Sequence, residues 1–132
     1  MSVLVTDTGF STDDWQAGYT PLEEGTARAL DVPSDADPDS IPLSAEVEMI
    51  RVAFPSFADG RGFTIARQLR RRGFAGRLRA AGHVISDQYA MARRAGFDEV
   101  EIDEDLAKRQ PEEDWRFRAD WTDHDYRARL RG

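Results

Sequence analysis

From Val47 to Gln110 the sequence repeats one pattern three times: a short apolar run, a turn marked by glycine or proline, and a longer amphipathic run. Strand side chains alternate with a period of two, whereas helices repeat every ~3.6 residues, so this order reads as β-α-β-α-β-α. Val47 to Phe54 is the first strand, stopped by Pro55. A turn over 57–62 carries Gly60 and Gly62. The helix Phe63 to Arg72 follows, with Ile65, Ala66 and Leu69 on one stripe and Gly73 at its end. Arg77 to Ala81 is the second strand, closed by Gly82. Val84 to Arg94 is the second helix, with Ile85, Tyr89 and Ala92 on one face and Gly96 as its cap. Val100 to Ile102 forms the core of the third strand, and Asp103 opens a last helix that Pro111 stops. Parallel strands joined by short crossovers satisfy such an order. The expected fold class is therefore α/β, with a small, mostly parallel, half-barrel-like sheet. A complete eight-fold barrel needs nearly twice the length available.

The flanks are less regular, and 132 residues suit one domain with three parts. Residues 1–46 form an irregular acidic N-terminal part, 47–110 the β-α-β-α-β-α core, and 111–132 a C-terminal tail. Val3 to Thr6 reads as a short strand that extends the sheet. Gly9 to Thr20 reads as loop anchored by Trp15 and Tyr19. Leu22 to Val32 is ambiguous, with Ala27 to Val32 suited to an edge strand, and Pro33 to Pro42 is an acidic turn. In the tail, Trp115, Phe117, Ala119 and Trp121 alternate as in a strand, while Trp121 to Leu130 equally suits a helix.

Charge divides along the same lines. The net charge is −7, but residues 1–48 hold eleven acids against Arg28 alone, a net of −10. Residues 49–97 hold ten arginines against Asp59 and Asp87, a net of +8. Residues 98–132 return to −5. The acidic flanks argue against extensive nucleic-acid wrapping. The arginine-rich middle leaves a local RNA-binding patch of Arg67, Arg70, Arg71, Arg93 and Arg94 as one alternative, and a solvated helix face as the other.

Zero cysteines exclude disulfides, thiolate metal sites and cysteine nucleophiles. Only His83 and His124 are present, and the acids at 35, 37 and 39 are interrupted by prolines, so no metal is expected. No cofactor motif is present: Gly60-Arg-Gly62 lacks the third glycine of a dinucleotide fingerprint. No apolar run is long enough to span a membrane, and the N-terminus lacks the basic region of a secretory signal, so a cytoplasmic location is expected.

In parallel sheets ligands gather beyond the C-terminal strand ends. That rule places Asp59, Gly60, Arg61, Gly62, His83, Asp87 and Gln88 on one rim, with Arg79 in the strand behind them. Asp59-Gly60-Arg61-Gly62 is the best anion-binding candidate, since converging backbone N–H groups and a guanidinium suit an anion. A strand-to-helix turn capped by Asp59 is the structural alternative. His83 and Asp87 stand four apart at a helix start, as an oriented catalytic base or as a simple cap. A buried Arg79 would need a carboxylate, and Asp59 or Asp87 would serve.

Five ordered blocks carry a family resemblance. They are Phe54-Pro-Ser-Phe-Ala-Asp-Gly-Arg-Gly62, Ile65-Ala-Arg-Gln-Leu-Arg70, Leu78-Arg-Ala80, Asp87-Gln88 and Gly96-Phe-Asp98. Over residues 47–102 the chain resembles the bacterial domain-of-unknown-function family numbered 934, whose usual label is an oxidoreductase of sulfite reduction. Relatives tend to be encoded beside sulfite or nitrite reductase and phosphoadenylyl-sulfate reductase. The resemblance implies a pathway, assimilatory sulfur reduction, and not a mechanism. Many relatives carry Cys just before the Gly-Phe-Asp block, where this chain has Ala95. A thiol there is no device of this chain.

The resulting expectation is an accessory protein of sulfate and sulfite reduction, without chemistry of its own, that contacts sulfite reductase or a related sulfur-assimilation protein. The alternatives are a small anion-binding module or enzyme built on the rim, and the RNA-binding arginine patch. The narrow sheet and aromatic-rich ends also suit a homodimer.

Overall fold

The computed structural model describes residues 2–24 and 27–119. Seven strands form one sheet: β1 (Ser2–Thr6), β2 (Gly9–Thr12), β3 (Thr20–Pro21), β4 (Ala29–Val32), β5 (Met49–Phe54), β6 (Arg77–Gly82) and β7 (Glu99–Asp103). Their order across the sheet is β2-β1-β7-β6-β5-β4-β3. Strands β3 to β7 run parallel, each beside the next in sequence, and the β1–β2 hairpin adds antiparallel to β7. Among the described residues the α-helices are α1 (Arg61–Arg71), α2 (Tyr89–Ala95), α3 (Glu104–Arg109) and α4 (Glu112–Phe117). The protein is thus a small α/β fold with a mostly parallel sheet.

The alternation inside each strand decides which face the helices cover. Leu30 and Val32 of β4, Ile50, Val52 and Phe54 of β5, Leu78 and Ala80 of β6, and Val100 and Ile102 of β7 are buried and share one core. Phe63, Ile65, Ala66 and Leu69 of α1, Tyr89 and Ala92 of α2, Leu106 of α3 and Trp115 of α4 pack into it. The intervening residues point to the second face, and most of them are charged: Asp31, Arg51, Arg77, Arg79, Glu99 and Glu101.

Several local expectations are corrected. The stretch read as loop from Gly9 to Thr20 begins with β2 and ends at β3, so the sheet is wider than the core pattern implied. Helix α1 starts at Arg61, not Phe63, because the Asp59 carboxylate accepts the Arg61 backbone N–H at 3.1 Å and opens the helix there. The helix expected from Val84 begins with a 3-10 turn over Ser86–Gln88, and α2 follows only at Tyr89. Ile85 N donates to Gln88 Oε1 at 3.0 Å, which tightens that turn. The strand-like alternation from Trp115 is overridden: α4 is a helix, with Trp115 buried against Tyr89 and its indole N–H on Gln110 O. The Trp121 to Leu130 reading, like His124, lies outside the described residues.

Candidate functional site

The C-terminal ends of β4 to β7 bring the expected loops to one rim. His83 N donates to Phe54 O at 2.9 Å, and Gln88 Nε2 donates to Phe57 O at 2.7 Å, tying the loop after β6 to the loop after β5. Asp59 binds Arg61 through both oxygens, at 3.0 Å to Nε and 2.8 Å to Nη2, and Nη2 also reaches Ser34 Oγ. The Arg61 side chain and then its backbone N–H hold the Asp59 carboxyl well below its ordinary value. Gly62 is required by packing, since a Cβ there would stand 2.5 Å from Phe54 Cζ. Gly60 precedes the helix as its N-cap.

His83 and Asp87 are not brought together by a hydrogen bond. Asp87 instead accepts from Arg118 Nη2 at 2.9 Å, and the His83 ring is exposed and makes no hydrogen bond among the described residues. Arg79 is fully buried, but its partners are neither Asp59 nor Asp87. Nε donates to Glu99 at 2.6 Å, and Nη1 donates to Glu101 at 2.8 Å and Asp13 at 3.0 Å. The reason is pleat geometry: Arg79 faces away from the helices, toward the next strand and the 13–19 segment, while the rim loops lie beyond the strand end. Burial alone would push the Arg79 pKa down, but hydrogen bonds to Glu101 and Asp13 and the Glu99 charge carry it above the ordinary value.

Arg79 is one member of a charge lattice on the second face. Asp31, Arg51, Arg79 and Glu99 stand side by side across β4 to β7. Arg51 binds Asp31 through two parallel bonds of 2.7 and 2.8 Å and reaches Glu101 at 3.2 Å. Arg77 grips Glu99 at 2.7 Å and Asp14 at 2.8 Å. The 13–19 segment lies across this lattice: Tyr19 stacks 3.6 Å from the Arg51 guanidinium, and Trp15 packs beside Arg77 and Arg28. Tyr19 and Trp15 are anchors, as the sequence suggested, and arginines are what they anchor to.

Beyond that covered part the face opens into a cavity of about 570 Å³ at the C-terminal strand ends. Ala53, Ala81 and Gly82 make its floor, Pro21 and Pro33 its flanks, and Glu23, Asp31, Glu101 and Arg51 its polar wall. Sequence reasoning missed this cavity because it looked at the loops after the strands. The signal was present as a period of two: Arg51-x-Ala53, Arg77-x-Arg79-x-Ala81 and Glu99-x-Glu101.

The helix arginines also have local tasks. Arg70 donates to the carbonyls of Phe74, Gly76 and Gly96, Arg72 to those of Pro38 and Ile41, and Arg93 to that of Phe97. Arg70 and Arg72 thereby tie α1 to Gly96 and to the 38–41 segment, and Arg93 holds the turn that follows α2. Arg67 and Arg71 are exposed.

Fold and site together define a small α/β protein whose mostly parallel sheet carries helices on one face and a fixed charge lattice on the other. The family model described as a bacterial protein of unknown function (DUF934) matches residues 29–130, and the chain belongs to that family. No curated protein and no solved structure matches it. No helix among the described residues is long and apolar enough to cross a membrane.

Proposed function

We propose that the protein is an accessory component of sulfite reduction that docks on the sulfite-reducing machinery and contributes binding, without chemistry of its own. The observation that supports this reading is a pair of exposed aromatics tied to one rim turn. Phe57 is 60% exposed and Phe117 is 73% exposed. The Phe57 carbonyl is held by Gln88, while Arg118 lies over the Phe117 ring and binds Asp87. Exposed aromatics and arginine are the typical anchors of protein interfaces. A small-anion site at the rim, by comparison, would have to compete with a carboxylate, since Arg61 is held by Asp59, and Arg79 stands away from the rim, held by Glu99, Glu101 and Asp13.

The test is co-purification with sulfite reductase from cells grown on sulfate as sole sulfur source. Retention by the native chain, and loss in Phe57→Ser with an unchanged circular dichroism spectrum, is the expected result. A clean preparation without the reductase overturns the reading.

A further inference from the structure

We infer that the cavity on the second sheet face is a docking groove for a cationic side chain, an arginine or lysine carried on an extended segment of a partner protein. The inference concerns a different face from the exposed aromatics and stands independently of which pathway the partner serves.

Three observations carry it. The first is shape. Along the strand ends the long side chains of the lattice give way to Ala53 and Ala81, paired across β5 and β6, and to Gly82. Methyl groups at neighbouring positions leave a trough with an apolar floor, wide enough for an aliphatic stem. The second is charge. The wall holds Glu23, Asp31 and Glu101 beside Arg51, with Arg79 behind Glu101 at 2.8 Å, so the acids outnumber the bases by one. Arg51 is already committed to Asp31 and Glu101, and the Asp31 bonds raise its pKa most, so it offers an incoming anion little. Glu23 stands exposed at the lip, with no hydrogen bond or ion pair among the described residues. An arriving cation therefore finds one free carboxylate and two shared ones. The third is rigidity. Asp31, Arg51 and Glu101 stand on strands, and Arg51 is clamped between two carboxylates beneath the Tyr19 ring, so little ordering of that part of the wall is left to occur on binding, while Glu23 approaches from the 3-10 turn Leu22–Glu24.

The same charge count disfavours a second copy of this chain as the occupant. An isologous pairing would set one acidic groove against another.

The test uses the full chain and, as probe, a capped pentapeptide alternating arginine and alanine, titrated by calorimetry at low salt. Saturable one-to-one binding is expected. Glu23→Lys, at the lip, and Ala53→Lys, which places an ammonium in the trough, should each weaken it at least about tenfold. Glu113→Lys on α4, an exposed site elsewhere with the same change in net charge, should leave it within about twofold. Circular dichroism and thermal midpoint verify the fold, and Glu23→Lys alone decides if Ala53→Lys does not fold. Equal weakening by Glu113→Lys would show diffuse attraction and overturn the proposal. Preference for a glutamate–alanine peptide, or a dimer that Ala53→Lys abolishes, would overturn it as well. Reductase co-purification that survives Glu23→Lys does not bear on the groove, and loss of peptide binding in Glu23→Lys does not bear on the sulfur pathway.

Discussion

Arg51 and Arg79 stand directly opposite each other on neighbouring parallel strands, and the Glu101 carboxylate accepts a hydrogen bond from both. Like charges in that position repel, so the pair depends on the acids around it. Glu99 carries the larger share: its side chain is 7% exposed, and it binds Arg77 and Arg79 together. Glu99→Ala leaves a fully buried guanidinium short of its counter-charge and should cost about 3–5 kcal/mol. Glu101→Gln keeps the shape and should cost less, about 1–3 kcal/mol. Urea unfolding midpoints check both, and a Glu101→Gln loss equal to that of Glu99→Ala would contradict this division.

Gly62 lies in the Phe54 to Gly62 stretch on which the family resemblance rests, yet its role in the structure is steric. A methyl there would meet the Phe54 ring, which is wedged between Phe63 and Phe97 at centroid distances of 5.0 and 5.8 Å. Gly62→Ala should therefore destabilise by about 1–3 kcal/mol through overpacking. Gly60→Ala, whose Cβ would meet only Phe63 at 3.9 Å, should be mild by comparison. Thermal melts of the two variants decide it.

Acid should act through Asp59. Its folded carboxyl lies well below the ordinary 3.8, chiefly through Arg61, and Asp14 is lowered by Arg77 in the same direction. As pH falls past the ordinary value the unfolded chain takes up the proton first. The stabilisation is thus complete above about pH 4 and drains away below it. Asp59→Asn should flatten that decline, measured as the urea midpoint against pH.

Alkali should act through Tyr89. Burial, then its hydrogen bond to Asp7, raises the phenol above its ordinary 10.0. The unfolded chain loses the proton first as pH climbs, so the stabilisation is present below about pH 10 and is lost above it. Phenolate absorbance should show Tyr89 ionising together with unfolding, and Tyr89→Phe should remove that component. A Tyr89 that titrates reversibly in the folded protein would contradict its placement.

The strand and helix order of the core was legible because glycine and proline punctuate it. Gly73 and Gly96 end their helices with φ of +96° and +118°, a conformation that favours glycine. The charge lattice was half legible. Arg79 was recognisable as a strand arginine in need of a carboxylate, but sequence proximity to the rim pointed to Asp59 and Asp87. The true partners depend on register: Glu99 lies opposite Arg79 only because β6 and β7 align that way. Asp13 and Asp14 come from a segment with no periodic pattern, so nothing local announced their place over Arg79 and Arg77. Trp115 shows the opposite failure, an apparent strand alternation overridden by packing of the indole against Tyr89.

Strand β1 pairs with β7, placing Val5 beside Val100. The first strand of the sheet to be synthesised thus pairs at once with β2 but has to wait for the last strand before it gains its second neighbour. Until β7 is in place, the β1–β2 hairpin has only its own two strands to rely on, too few for independent stability. Sheet closure is therefore a long-range event that comes late on the ribosome and slows folding relative to the local β-α units. It also makes the hairpin a latch: a chain cut short before β7 would present two unfinished strand edges instead of one completed sheet.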